Sequence, residues 1–428
     1  MLTVERNATL GGTAPGRAAT TTLSTSPSSE SAAIDILTLD CSELWHRVLA
    51  ECPDHDFHHL PEYHAHAEAH GEGRAHLVVY RGADCTIAVP LLVRRLADLP
   101  EFGEVAHDLC DATSVYGYAG PIASRRDIPD EVLRDFSRQV EAALRDLRVV
   151  SVFSRLHPLL EQRHLLAHLG ECVPTGRTVS LDLTRPVGEQ YAGFRKSHRR
   201  GLKKLREFGL EVVEDTGLEH LDAFVDIYTA SMRRVGAARQ YFFDREYFAS
   251  LIEKLGPAIR HFFVRQGSTI VAATLHSTYR GIVQAHLGGT ADHALGLAPD
   301  KLLIDEVRLW AVERGYRVFH HGGGVGAKED SLYQFKAGFS DCAHDFFTWR
   351  WVVDPAASET LCRHRAAWNR AGGLAPMATD FFPPYRTPAG PAEPAAPPPV
   401  ELPPGVLPDR GSQAFLFMGE IFSQGLFA

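Results

Sequence analysis

The chain has no excess of positive charge, no long apolar run and no paired cysteines. Lys and Arg number 44 against 53 Asp and Glu, a formal net charge of -9 over 428 residues. That balance excludes a protein that holds nucleic acid through bulk charge, and leaves only a local basic patch for phosphates. No stretch reaches the roughly 18 uninterrupted apolar residues of a membrane span. The first twenty residues contain no apolar core of signal-peptide length. The seven cysteines (Cys41, Cys52, Cys85, Cys110, Cys172, Cys342 and Cys362) are spaced neither as a zinc pair nor as a redox pair. These absences predict a cytoplasmic protein with no metal site.

Apolar residues make up 45% and charged residues 23%, as in ordinary soluble enzymes. The length predicts two domains with tails. Residues 1–33 are rich in Ser, Thr, Ala and Gly without apolar periodicity and read as a disordered tail. Residues 34–184 and 185–353 form two α/β halves. Residues 354–384 are a C-terminal extension, 385–412 a proline-rich extended linker, and 413–428 an apolar tail. That tail suits either a segment folded back on the body or a docking peptide.

In the first half, "RAHLVVYR" and "CTIAVPLLVRRL" read as strands joined by a turn at Gly82. "DEVLRDFSRQVEAALRDLR" is an amphipathic helix with Leu133, Phe136, Val140 and Leu144 on one face. "TVSLDL" is the strand that closes this half. The second half reads helix, helix, three strands with tight turns, helix, strand, ending in "RVFHHGGG". Two similar units side by side follow from that order, without a provable sequence repeat.

Four stretches carry candidate chemistry. Residues 195–206 hold seven cations: Arg195, Lys196, Arg199, Arg200, Lys203, Lys204 and Arg206. At 100° per residue they share one side of a helix, with Phe194, Leu202, Leu205 and Phe208 on the other. Such a face suits phosphates, and equally a solvated surface. Next, "FHHGGGVGAKEDSLYQFKAGFS" places Gly322, Gly323 and Gly324 where the main chain can pass close to a ligand. It is not a nucleotide P-loop, because no Ser or Thr follows Lys328. Lys336 follows between Phe335 and Phe339, where partial desolvation strengthens its charge on a nearby oxyanion. Third, "DATSVYGYAGPI" offers Tyr116 and Tyr118 as walls for a polar ligand. Fourth, His293, Gly296 and Ala298 partly match a phosphate-binding turn between a strand and a helix. His59, His64, His66 and His70 read as a surface feature. His66 and His70 share a helix face but lack a third ligand.

Together these residues resemble the Fem-type aminoacyltransferases and their acetyltransferase-like relatives of the GNAT superfamily. The glycine turn with "DSLYQFKAGFS" resembles that family's C-terminal signature. "FRKSHRRGLKKLREFGLEV" resembles the segment opening its second half, and "YGYAGP" a first-half loop. The resemblance spans roughly residues 35 to 350. It implies an α/β (α+β) fold of two tandem GNAT-like domains, each a mixed β-sheet flanked by helices. It implies transfer of an aminoacyl group from aminoacyl-tRNA to an amine of a small-molecule or peptide-like acceptor, a natural product or cell-wall precursor. The donor is a substrate, so no tightly bound cofactor is expected, and no DNA partner. By the resemblance, the Phe335–Lys336 amide and the Lys336 charge hold the oxyanion. Arg195, Lys196 and Arg199 hold phosphates, and Tyr116, Tyr118, Tyr333 and the three glycines line the substrate site. Two departures stand. The long coiled-coil insertion of some members is absent, and the partial turn at Gly296 keeps acyl-CoA as an alternative donor. A reading of another class is a non-catalytic RNA- or partner-binding protein that keeps the fold.

Overall fold

The structure, a computed structural model, describes residues 32–388 except Glu104, Ala238 and the side chain of Gln240. The apolar tail 413–428 and nearly all of the proline-rich linker lie outside the described residues.

The first half begins with β1 (Ala33–Leu37), α1 (Ser42–Glu51) and α2 (Pro61–Ala69). Pro61 opens α2, where a missing N–H costs nothing. β2 (Arg74–Arg81) and β3 (Thr86–Arg95) form the expected hairpin, with Gly82 N–H donating to the Cys85 carbonyl. β3 is buried on both faces, and its Pro90 falls between the stretches that pair with β4 (Cys110–Thr113) and β5 (Ile122–Ala123). A proline there breaks no ladder bond. α3 (Asp130–Asp146) buries Leu133, Phe136, Val140 and Leu144, as its periodicity predicts. β6 (Val149–Arg155) and β7 (Glu171–Asp182) follow.

The second half contains α4 (Val187–Gly193), α5 (Lys196–Glu207), β8 (Leu210–Glu214), α6 (Leu221–Arg234) and α7 (Arg245–Leu255). Asp244 caps α7 by accepting from the Tyr247 N–H. β9 (Ile259–Gln266), β10 (Thr269–Tyr279) and β11 (Ile282–Thr290) form an antiparallel meander. α8 (Asp300–Glu313) leads to β12 (Val318–Gly322), the short α9 (Ser331–Lys336), β13 (Ala343–Val352) and α10 (Pro355–Ala371).

Among the described residues the strands make one sheet, in the order β1-β2-β3-β4-β6-β13-β7-β12-β11-β10-β9-β8. The halves are stitched at its centre. β13 pairs with β6 of the first half and with β7. The segment "TVSLDL", expected to close the first half, pairs as part of β7 with β12 of the second. The largest apolar cluster likewise joins Trp45 and Tyr63 to Leu205 and Phe319. A second cluster lies under α3, and a third holds the C-terminal extension through Tyr385 and Leu361.

β11 and β12 run parallel, paired only at Ile282–Gln284 with Val318–His320. Beyond that point β12 holds only to β7, and the two strands diverge. Such a switch point, at the carboxyl ends of parallel strands, is where α/β sheets open a crevice. The glycine run starts at the end of β12, on its rim.

Candidate active site

Gly323 and Gly324 are close-packed against their own chain. A Cβ on Gly323 would lie 2.8 Å from the Arg177 carbonyl oxygen of β7. One on Gly324 would lie 2.0 Å from the Lys328 carbonyl and 2.3 Å from Asp330 Oδ1. Gly322 has φ of +74°, the left-handed region that favours glycine. Asp330 ties the loop to α9: one carboxylate oxygen accepts from Val325 N–H (3.1 Å), the other from Tyr333 N–H (3.0 Å). Tyr333 itself is buried, and burial raises its hydroxyl pKa.

Lys336 closes α9 and is only 2% exposed. Its Nζ donates to the Gly323 carbonyl at 2.6 Å. The lysine is buried, and through this bond it bolts α9 to the glycine loop. His321, on β12, is kept well below the usual histidine range by burial first and by the Lys336 charge second.

The basic helix docks on the same motif. Arg195 N–H donates to the Gly338 carbonyl at 2.8 Å, and its guanidinium to the Gln334 carbonyl at 2.8 Å. His198 donates to the Phe335 carbonyl at 2.9 Å. A Cβ on Gly338 would meet His198 Nε2 at 2.2 Å, which explains the glycine of "FKAGF". Phe194, Leu202 and Leu205 are buried as predicted, but Phe208 is 59% exposed, because α5 stops at Glu207. Arg195, Lys196, Arg200, Lys203 and Lys204 face solvent. Arg199 is half-buried and donates to the Ala192 carbonyl, and Arg206 pairs with Asp305 and Glu306.

A cleft of about 560 Å³ opens beside the loop. Val325, Gly326, Lys328 and Asp330 form one wall, and Arg155, Thr175, Thr348 and Arg350 of the central strands form another. Thr175 and Thr348 hydroxyls are 3.0 Å apart. Three cations against Asp330 and Asp380 give the cleft a small positive excess.

A buried network centred on Asp56 is one that the sequence reading missed. Asp56 Oδ2 accepts from His58 Nδ1 (2.7 Å) and from His157 Nε2 (3.0 Å), and Oδ1 lies 3.1 Å from His59 Nδ1. Burial opposes charge on Asp56, but the two histidines outweigh it and hold the carboxyl well below its usual range. The His58 ring contacts Gln284 at 3.5 Å, and Gln284 accepts from His320 on β12 at 3.1 Å. The chain of contacts therefore crosses from one half to the other. Tyr118 sits within it, its ring 5.5 to 5.8 Å from those of His58, His157, His320 and Phe346. Tyr116 and Tyr118 are thus interior residues, not open walls. Gly117, with φ of +110°, is required because a Cβ would stand 2.1 Å from His58 Nε2.

Asp56, His58 and His157 bring donor atoms within 4.8 Å of one another, the spacing of a metal site. The protons argue for a hydrogen-bonded network instead. His157 Nδ1 accepts from Leu159 N–H at 3.1 Å, so its own proton sits on Nε2, facing Asp56. His59, His64 and His66, expected at the surface, are buried, and the His70 ring lies tilted beside that of His66 with centroids 4.3 Å apart. "PDHDFHH" carried a signal of the network in its density of His and Asp. Its partner His157 is 101 residues away, so only the fold unites them.

The partial phosphate turn falls between β11 and α8 as expected. His293 and Gly296 are exposed, and Ala298 is left-handed at φ +53°. The first amides of α8 are already used: Lys301 donates to the Ala298 carbonyl, Leu302 and Leu303 to Pro299. Asp300 stands buried at the helix start, accepting from the Thr290 hydroxyl at 2.8 Å.

Residues 192–336 match the family profile described as an acetyltransferase (GNAT) domain. The match runs from the last turn of α4 to Lys336. No curated protein matches the chain in sequence. Among solved structures the chain is similar to FemX, at 12% identity and a TM-score of 0.55, over 74% of this chain and 96% of that one. It is also similar to the C-terminal domain of a putative lysylphosphatidylglycerol synthetase from Agrobacterium fabrum (16% identity, TM-score 0.47, 74% and 95% covered). A tandem GNAT protein from the clavulanic acid biosynthesis pathway aligns at 11% identity and TM-score 0.44, with 76% and 99% covered. The expected fold class is met, with the two expected sheets fused into one. The chain is an acyltransferase that carries a GNAT-type acetyltransferase domain in its second half, within the fold of FemX.

Proposed function

We propose that this acyltransferase moves an aminoacyl group from aminoacyl-tRNA to an amine of a small-molecule or peptide-like acceptor. One observation carries the reading: the basic helix is hydrogen-bonded to the segment that holds Lys336, through Arg195 to Gln334 and His198 to Phe335. Phosphates bound along α5 by Arg195, Lys196 and Arg199 would lie next to the glycine loop and its cleft. An amine attacking the ester carbonyl creates an oxyanion, and a preset charge in a dry site is the largest help available to it. Lys336 is that charge in this reading, and the loop it fixes is the cleft wall.

The second reading is an acyl-CoA donor held at the turn carrying His293, Gly296 and Ala298. The profile match favours it. The engaged first turn of α8, with Asp300 at its start, speaks against a pyrophosphate there.

The test is donor choice. Purified protein is mixed with labelled total aminoacyl-tRNA, and separately with an acyl-CoA panel, and read by filter retention and thermal shift. Retention of charged over uncharged tRNA, with no response to CoA esters, is the expected result. Stabilisation by one acyl-CoA, without preference for charged RNA, would move the protein to the second reading. Binding of uncharged RNA or of a protein alone, with no acyl transfer, would leave a non-catalytic binder.

A further inference from the structure

The cleft beside the glycine loop is floored by two arginines from adjacent strands. β6 and β13 run antiparallel, and residues opposite one another in such a ladder share a face. Arg155 stands opposite Thr348, and Phe153 opposite Arg350. All four line the cleft. Arg155 and Arg350 are therefore diagonal neighbours, about 7–8 Å apart at the strands, and both side chains enter the same space.

Arg155 is 1% exposed. A guanidinium is a permanent cation, and at such burial water screens it little. Arg350 is held in place by a directed chain. Its Nε donates to the Thr348 hydroxyl at 3.3 Å, the Thr348 and Thr175 hydroxyls are 3.0 Å apart, and Thr175 donates to the Val173 carbonyl at 3.0 Å. Thr175 gives its proton to Val173, so within the pair Thr348 donates and Thr175 accepts. The chain runs one way from guanidinium to backbone, and it presets the cation before a ligand arrives.

Charge and size select the ligand. The walls carry Arg155, Lys328 and Arg350 against Asp330 and Asp380, three positive charges less two negative, an excess of one. Asp330 is already engaged by the amides of Val325 and Tyr333. One carboxylate brings the cleft to neutrality, and its plane suits the fork of a guanidinium. A phosphate monoester carries about −1.5 to −2 at pH 7 and overshoots that balance. The volume of about 560 Å³ lies in the range of small-molecule sites and holds far more than the anion alone. Phe153, Pro174 and Val325 give the rest of the molecule an apolar wall.

We propose that this cleft binds the carboxylate of the acyl acceptor between Arg155 and Arg350, so that the acceptor is an amino acid or short peptide with a free carboxylate. The role as acceptor rests on the acyltransfer reading; the carboxylate site rests on the cleft alone. Binding is measured without donor or turnover, and the donor-choice experiment contains no acceptor, so the two fail separately.

The probe is sodium N-acetylglycinate, titrated by ligand-observed NMR at constant ionic strength. N-acetylglycinamide is the neutral isostere and methyl phosphate the dianion. Wild-type protein should bind acetylglycinate saturably and at least tenfold tighter than either control. Arg350→Gln, at the partly exposed arginine, should weaken that binding at least tenfold. Should Arg350→Gln fail to fold, phenylglyoxal labelling of the wild-type protein decides. Acetylglycinate should slow modification of Arg350 several-fold and leave that of the exposed Arg138 on α3 unchanged. Equal binding of the amide, tighter binding of methyl phosphate, unchanged affinity in Arg350→Gln, or no protection of Arg350 overturns the proposal.

Discussion

The density of buried histidine makes a sharp prediction about acid. Burial holds His64, His66, His276 and His286 at about 3, and His55 and His261 at about 4, against a reference of 6.5. The folded chain keeps these rings neutral while the unfolded chain protonates them. Their contribution is unchanged above pH 6.5, and stability is lost as pH falls from 6.5 towards the folded values. At pH 5.5 each costs about 1.4 kcal/mol, and the six together about 8 kcal/mol. Two buried acids act in the opposite direction. Glu72, raised to about 8, and Asp300, raised to about 6, are protonated more readily folded than unfolded. Between pH 7.5 and 5.5 they return about 3 kcal/mol. The net loss of about 5 kcal/mol compares with a total stability of roughly 5–15 kcal/mol. For a chain of this length it should lower Tm by about 6 °C. Asp56 plays no part in this window, because its depressed carboxyl loses stability only below the unfolded value of 3.8. The assay is thermal unfolding in matched ionic strength at pH 7.5, 6.5 and 5.5. A Tm that falls by less than about 2 °C over this range would refute the burial of neutral histidines.

Three further outcomes follow. Lys336→Met keeps the stem but removes the Nζ donor from Gly323 at a buried site; it should cost about 1–3 kcal/mol and cut turnover at least tenfold, so unchanged Tm refutes the tether and near-normal turnover refutes the charge. Replacing Arg195, Lys196 and Arg199 by alanine should flatten the log–log salt dependence of tRNA binding by about two to three; an unchanged slope in filter binding would return α5 to a solvated face. Gly117→Ala puts a Cβ 2.1 Å from His58 Nε2 and should abolish soluble expression, whereas Gly188→Ala, with nothing within 4 Å, should fold normally; equal yields would refute the packing of Tyr118 into the network.

What the sequence made legible was whatever depends on local period and spacing. The α3 face, the β2–β3 hairpin and the buried side of α5 follow from residues at most a few turns apart. The meeting of the basic helix with "FKAGF" was implied only by resemblance; the contacts of Arg195 and His198 give it a physical form. The purpose of the glycines was not legible. A glycine run reports a close approach but not what is approached, and here the neighbours are β7 and Asp330. Nor was the pairing of β13 with β6 and β7, because strands exchanged between halves leave no local mark.

That exchange explains why the missed residues cluster where they do. β7 and β13 are hydrogen-bonded to each other along Glu171–Val179 and Ala343–Arg350, and each also pairs with one half's own strands. Sliding one half past the other would break both ladders, so the seam is rigid. A rigid seam can carry polar groups that a mobile domain interface cannot keep paired. The Asp56 network crosses it through Gln284 and His320, and the cleft draws Arg155, Thr175 and Thr348 from three adjacent strands. The glycine loop is held against the same strands, with Gly176 of β7 so close to Ala327 that a Cβ would lie 2.1 Å from its carbonyl oxygen. The cleft is therefore set by backbone pairing between the halves, and Lys336 fixes its one irregular wall.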